Sequence, residues 1–278
     1  MRAILASSLL LLGCAAPPAP PEAIIRARAF LESHEAQKPG DAALRALALN
    51  RPLPGARIPE NLGYPHDFET AYVALAVIRA QQPEAAAFVK FLLEHQSRDG
   101  DWGYSFAAAS DRWTETTMNV PIVEALLDAG ERAAALRAVR WLESYQAVDG
   151  RFFNDRSRPP STEATAAVVS VLARVGSTAV KAAKLVRIEE ILGAMKDGVY
   201  PGLTGDDRQT HGPGSYPYGL YYAALAERRT TGRADASRRD PIVRLLAAMQ
   251  EPDGSFRSGR GPVYATAMVL LAWQALFE

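Results

Sequence analysis

An Asp-Gly-x-aromatic pattern occurs four times in this chain, each time just after a helix-like segment. The copies are Asp99-Gly100-Asp101-Trp102, Asp149-Gly150-Arg151-Phe152, Asp197-Gly198-Val199-Tyr200 and Asp253-Gly254-Ser255-Phe256. From one Asp to the next the spacings are 50, 48 and 56 residues. A near-fixed period of this size marks one supersecondary unit repeated along the chain. Such a unit cannot bury its apolar face alone and stacks on copies of itself.

The segments before the turns also align. They end Phe91-Leu-Leu-Glu-His-Gln96, Trp141-Leu-Glu-Ser-Tyr-Gln146, Ile191-Leu-Gly-Ala-Met-Lys196 and Leu245-Leu-Ala-Ala-Met-Gln250, and Phe30-Leu-Glu-Ser-His-Glu35 is a looser copy. Phe88, Phe91 and Leu92, with His95 in register, recur at three- and four-residue steps, as do Ala135, Val139, Leu142 and Tyr145. This is helical periodicity with one buried stripe. The Asp-Gly pair is expected to end each helix, since Gly takes the left-handed conformation cheaply. A second helix should follow each turn, at 68–80, 114–128, 162–175, 216–228 and 263–277. These segments are apolar on most faces, as in Thr165-Ala-Ala-Val-Val-Ser-Val-Leu-Ala173, and so buried on most faces. The expected fold is all-α, an α/α toroid of about five helical hairpins with amphipathic outer helices and enclosed inner ones.

Gln96-x-x-x-Gly100-x-Trp102 resembles the Gln-Trp repeat of squalene and oxidosqualene cyclases. Gln146, Gly150 and Phe152, and Gln250, Gly254 and Phe256, look like the same repeat with Phe for Trp. The wider group is the terpenoid cyclase and protein prenyltransferase toroid, which also includes complement-like thioester domains. The resemblance covers roughly residues 24–278 and implies that these residues are structural ties between hairpins. The group's chemistries lack their central residues here. No Asp-x-Asp-Asp acid occurs; Gly205-Asp206-Asp207 is the nearest string. The zinc set of prenyltransferases needs a Cys, and Cys14 is the only one. The Cys-Gly-Glu-Gln thioester string is absent. Fold alone does not license function.

The chain opens with Met1-Arg2 and a short apolar run that ends Leu11-Leu12-Gly13-Cys14. This looks like a bacterial lipoprotein signal, residues 1–13, with lipidation of Cys14. The run is too short to span a bilayer, which takes about 20 apolar residues. Pro17-Pro18-Ala19-Pro20-Pro21 makes residues 14–22 a stiff tether. The toroid domain is then residues 23–278. The expected address is the bacterial cell envelope, lipid-anchored to a membrane. With 31 basic and 31 acidic residues, nothing points to nucleic acid. No disulfide, metal or cofactor is expected. The pairs Arg228-Arg229 and Arg238-Arg239 read as solvated surface.

The candidate ligand-binding residues lie at the starts of the inner helices. Glu69, Glu115 and Glu163 occupy equivalent starts of three of them, with Tyr218 and Tyr264 in the other two. In a toroid these ends face one mouth. Trp113 stands beside Glu115, and the long stretch 201–217 carries His211 and Tyr216. An acidic rim suits a cationic or polyhydroxylated ligand. Acids in a first helical turn also simply complement the helix dipole, and Trp113 reads equally as a packing aromatic. The expected function is binding of a small molecule, glycan or protein in or over the central cavity. The alternative is a glycan-active enzyme, a glycoside hydrolase or polysaccharide lyase, working through rim carboxylates. A third reading, an isoprenoid or lipid carrier, needs a deep aromatic cavity.

Overall fold

The computed structural model describes residues 20–59, 66–103, 106, 114–197, 216–232 and 236–278. Cys14, Trp113, His211 and Gly198-Val199-Tyr200 lie outside them. Eleven α-helices are present among the described residues. They are α1 (Glu22–Ser33), α2 (Pro39–Leu49), α3 (His66–Arg79), α4 (Ala85–His95), α5 (Thr116–Asp128), α6 (Arg132–Glu143), α7 (Thr162–Val175), α8 (Ile188–Asp197), α9 (Tyr216–Thr231), α10 (Arg239–Met249) and α11 (Pro262–Phe277). A short 3-10 segment, Thr178–Ala182, follows α7.

The inner helices pack in the order α2, α3, α5, α7, α9, α11 and back to α2, so the ring closes. Their composition drives this. In α11 nearly every residue from Tyr264 to Leu276 is buried, and α7 is buried from Ala164 to Leu172. Local signals set the ends: Pro39 and Pro262 open α2 and α11, and the Ser161 hydroxyl caps α7 by accepting from Ala164 N–H at 3.0 Å. Among the described residues the ring has six inner helices, one more than the turn count implies. The addition is α2, which follows α1 directly and has no Asp-Gly turn between itself and α3. The inner helices run parallel. A Cβ on Gly40, early in α2, would stand 2.9 Å from the Glu69 side chain early in α3, and one on Gly219 in α9 would stand 3.0 Å from Glu163 in α7.

The repeat residues staple neighbouring outer helices. Helices α4 and α10 stop at His95 and Met249, with Gln96 and Gln250 as extended C-caps, so each helix ends before its Asp-Gly pair. The glycine serves close approach instead. Gly100 has φ 105°, and a Cβ there would meet the Arg137 carbonyl oxygen at 2.5 Å. Gly254 has φ 91° and would meet the Arg26 carbonyl oxygen at 2.6 Å. Gln96 Nε2 donates to the carbonyls of Gly100 (2.8 Å) and Ala134 (2.9 Å), which ties the first turn to α6. Gln250 does the same with Gly254 and Ala23, both at 2.8 Å, so the last turn grips the first helix. Arg26 completes that closure by donating to the carbonyls of Glu251 and Pro252. The middle turn departs from this. Gly150 packs on the 3-10 segment, its carbonyl accepts from Lys184 N–H, and the buried Gln146 Nε2 has no partner among the described residues.

The turn aromatics tie the turns to the inner ring. Trp102 N–H donates to Asn119 Oδ1, Phe152 N–H to Thr165 Oγ1 and Phe256 N–H to Thr266 Oγ1, at 2.8, 2.9 and 3.0 Å. All three rings are fully buried, and the Trp102 indole N–H donates to the Leu92 carbonyl. His34 and His95 share one role, each bonding the carbonyl four residues back and packing on that residue's ring.

Candidate functional site

The ring has two ends of unlike construction, and its axis is filled. Helices α3 and α9 stand opposite each other, yet the Phe68 and Tyr218 rings approach to 6.2 Å between centroids. Tyr218 packs on Tyr222 at 4.5 Å, and Tyr72, Tyr218 and Tyr222 are 0–3% exposed. Burial pushes these three hydroxyls well above their ordinary value of 10. They stay neutral and act as fillers across the axis.

Tyr218 has a definite structural duty. Pro121 sits inside α5 and has no N–H, so the carbonyl of Thr117, four residues back, loses its helical partner. The Tyr218 hydroxyl donates to that carbonyl at 2.9 Å. Tyr218 therefore lies in the interior rather than overlooking the mouth, and Tyr216 is also buried.

The three glutamates do not share one register. Glu69 is the fourth residue of α3, Glu163 the second of α7, and Glu115 the extended N-cap residue before α5. The N-terminus of α5 is instead capped by Asn154 of the following turn, whose Oδ1 accepts from Thr117 N–H and Oγ1–H. Asp41, the third residue of α2, belongs with Glu69 and Glu163; Glu115 is not part of this group. Asp41 interacts with Glu69 and with Tyr264, and Tyr264 with Glu163. Burial raises the Asp41 carboxyl above its ordinary value; Lys38 and Arg260 oppose the rise and Glu69 adds to it. Burial also pushes the Tyr264 hydroxyl up to about 12, against the pull of Arg260 and helped by Asp41 and Glu163.

These groups surround a chamber of about 150 Å³ lined by Lys38, Asp41, Phe68, Glu69, Tyr72, Arg260 and Tyr264, among others. The guanidinium of Arg260 lies 4.4 Å from the Phe68 centroid and 5.4 Å from that of Tyr264. A groove of about 680 Å³ adjoins the chamber through Lys38 and Glu69 and runs between residues 36–42, residues 53–59 and α3. Asp41 was missed from sequence because α2 was not recognised as an inner helix. First-turn acid content, the feature that singled out Glu69, also marks Asp41.

The opposite end, where the inner helices finish, is sealed by charge. Glu124 of α5 is 1% exposed and sits among Arg79, Arg174 and Arg229 from three other inner helices. Arg229 reaches both Glu124 oxygens, at 2.5 and 3.0 Å, and Arg174 bonds one of them. Asp128 adds contacts to Arg79 at 2.9 Å and Arg174 at 2.6 Å. Burial alone would raise the Glu124 carboxyl; the arginines overcome it and hold the carboxyl below its ordinary value. The expectation of solvated arginine pairs is thereby corrected. Arg229 joins this cluster, Arg228 donates to the Gln274 and Ala275 carbonyls, and Arg238 pairs with Glu189 and the buried Glu227. Among the described residues no group of three His, Cys, Asp or Glu side chains is placed to hold a metal, and no helix is long and apolar enough to cross a membrane.

The architecture is that of the terpenoid-cyclase-like α/α toroids. It is similar to the type II terpene cyclase MstE from Scytonema, solved with its substrate geranylgeranyl dihydroxybenzoate. The TM-score is 0.54 at 16% identity, over 91% of this chain and 96% of that one. A second structure of that cyclase, holding the product merosterolic acid A, gives a TM-score of 0.46 at 16% identity, over 91% and 86% of the two chains. At this identity the likeness concerns the fold. No protein-family model matches the sequence, and no curated protein matches it.

Proposed function

We propose that the chain is a lipid-anchored envelope protein whose toroid binds a small ligand at the N-terminal mouth of its inner ring, without cyclase or transferase chemistry. The observation that carries this reading is the contrast along the axis. Tyrosines fill the interior where a long isoprenoid would lie, and the polar chamber around Asp41, Glu69 and Tyr264 opens at one end. A concave site with a few convergent polar groups and a perturbed carboxyl, here Asp41, is the default place for a ligand. Glu163 joins it through Tyr264. Glu115 and Tyr216 remain candidates, as do Trp113 and His211, which lie outside the described residues.

A panel of glycan fragments, organic cations and short isoprenoids, screened by thermal shift, tests this. At least one polar compound should raise the melting temperature of the wild type and not of Asp41→Asn/Glu69→Gln, and should be recovered unchanged. Stabilisation by isoprenoids alone, equal in both proteins, would overturn the reading. The anchor has its own test: Cys14→Ser should leave the membrane fraction or accumulate as an unprocessed precursor. Processing with retention on membranes after a high-salt wash would exclude a lipid on Cys14.

A glycan-active enzyme is the second reading. Asp41, whose carboxyl burial raises above its ordinary value, interacts with Glu69, and glycoside hydrolysis uses a pair of carboxyl groups. Cleavage of a glycan in the same panel, lost in Asp41→Asn, would select it.

A further inference from the structure

The mouth already holds a cation belonging to the chain itself. Arg260 stands between Gly259 and Gly261 in the partly exposed stretch Ser258-Gly259-Arg260-Gly261 and is itself exposed. Its guanidinium lies over the rings of Phe68 and Tyr264 and attracts Asp41. Aromatic faces beside carboxylates are the surroundings that hold guanidinium and quaternary ammonium groups. An independent observation points the same way. Tyr264 lines this chamber at 2% exposure, and among the described residues its hydroxyl has no hydrogen-bond partner, whereas the Tyr72 hydroxyl pairs with Tyr222. A buried polar atom left unpaired is costly, and such atoms in a native interior call for an explanation, of which a bound group is one. At about 150 Å³ the chamber matches one benzene-sized group.

We propose that the mouth is an organic-cation site that takes a guanidinium or quaternary ammonium head, and that Arg260 is a resident stand-in which the ligand displaces. The inference rests on the mouth being a binding site at all. The glycines on either side let Arg260 swing outward, and its exposure means that leaving the rings costs little. An incoming cation meets Phe68 and Tyr264 on their faces and Asp41 and Glu69 as counter-charges, and a guanidinium also has N–H groups to donate to the Tyr264 oxygen. Net attraction follows once Arg260 has left, because Asp41 then loses one of the two cations that act on it and keeps Lys38.

Isothermal titration of the full chain with tetramethylammonium chloride and with methylguanidinium chloride tests this, with sodium chloride as the blank at matched ionic strength. The wild type should bind weakly. Arg260→Ala should bind both probes about two- to fivefold tighter, the fold-change expected when an exposed cation–π competitor is removed. Asp41→Asn/Glu69→Gln should lose most of the binding while keeping the wild-type melting transition. Equal affinity in wild type and Arg260→Ala would overturn the stand-in. Binding that survives in the acid variant would overturn the site. If neutral glycan fragments stabilise the wild type and the two cations bind neither protein, the mouth binds ligands and the cation class is wrong. If nothing binds, both readings fall.

Discussion

The two ends of the ring use the same side chains to opposite effect. At the mouth, Asp41, Glu69 and Glu163 share space with Arg260 and tyrosines; at the far end, Glu124 and Asp128 share it with Arg79, Arg174 and Arg229. The helix axes account for the placement. Six parallel inner helices converge their positive ends on the mouth and their negative ends on the opposite face, so acids suit the first and arginines the second. What separates the ends is solvent and surplus. Glu124 is buried and has three arginines, so every oxygen is engaged. Arg260 is exposed, and the Tyr264 hydroxyl beside it has no partner among the described residues. A charged cluster seals when partners outnumber the buried charge and water is excluded. It stays open to exchange when one partner can leave cheaply.

The largest expected effect falls at the sealed end. Glu124→Ala leaves the half-buried Arg229 without its carboxylate and Arg79 and Arg174 with Asp128 alone, and should cost about 3–5 kcal/mol. For a domain of this size that lowers the melting temperature by roughly 6–20 °C, which calorimetry would read. A melting point within experimental scatter of wild type would erase the distinction between the ends. Tyr218→Phe comes next. It strands the Thr117 carbonyl released by Pro121 and should cost about 1–3 kcal/mol in chemical denaturation. An unchanged midpoint would show that the carbonyl finds another donor.

The pH response should have opposite signs at the two ends. The folded-state value of Glu124 is depressed, so its contribution is complete above the ordinary 4.5 and is lost as pH falls through the lower folded value. The Asp41 value is raised, so its contribution is complete below the ordinary 3.8 and is lost as pH rises through the higher folded value. Asp41→Asn should therefore be the mildest change, a gain of about 0.5 kcal/mol or less at neutral pH that vanishes in acid. Stability profiles of wild type, Glu124→Gln and Asp41→Asn across acid pH would show this. A steeper acid loss in Glu124→Gln than in wild type contradicts the assignment, because that variant has no carboxylate there to protonate.

The repeat and the helices were legible because periodicity depends on neighbours within a few residues; the ties made by the turn aromatics, whose partners lie 10 to 17 residues away, were implied by the resemblance to a known repeat. Helix α7 falls on the expected 162–175, and α5, α9 and α11 lie within a few residues of their expected ranges. The sixth inner helix escaped because α2 lacks the turn used for counting. The role of the turn glycines was half legible. Their positive φ follows from the Asp-Gly pair, but the carbonyl of Arg137 or Arg26 that forbids a side chain comes from the next outer helix. The sealing cluster was not legible for the same reason. Glu124 reads as one acid in an apolar helix, and Arg79, Arg174 and Arg229 are scattered over 150 residues, from 79 to 229. Only ring closure brings them together. At the mouth, the sequence marked Glu69 and Glu163 by their position in a first turn and overlooked Asp41, which has the same mark.

The grip of Gln250 and Gly254 on Ala23 and Arg26 makes the molecule a hoop instead of a strip. A strip of stacked hairpins frays from its two free edges, and its end units are held by one neighbour each. A hoop has no edge, and every hairpin is held on both sides. Melting any single hairpin converts the hoop into a strip and exposes two flanks at once. The whole domain should thus unfold in one transition, with amides of α1 exchanging as slowly as those in the middle of the chain.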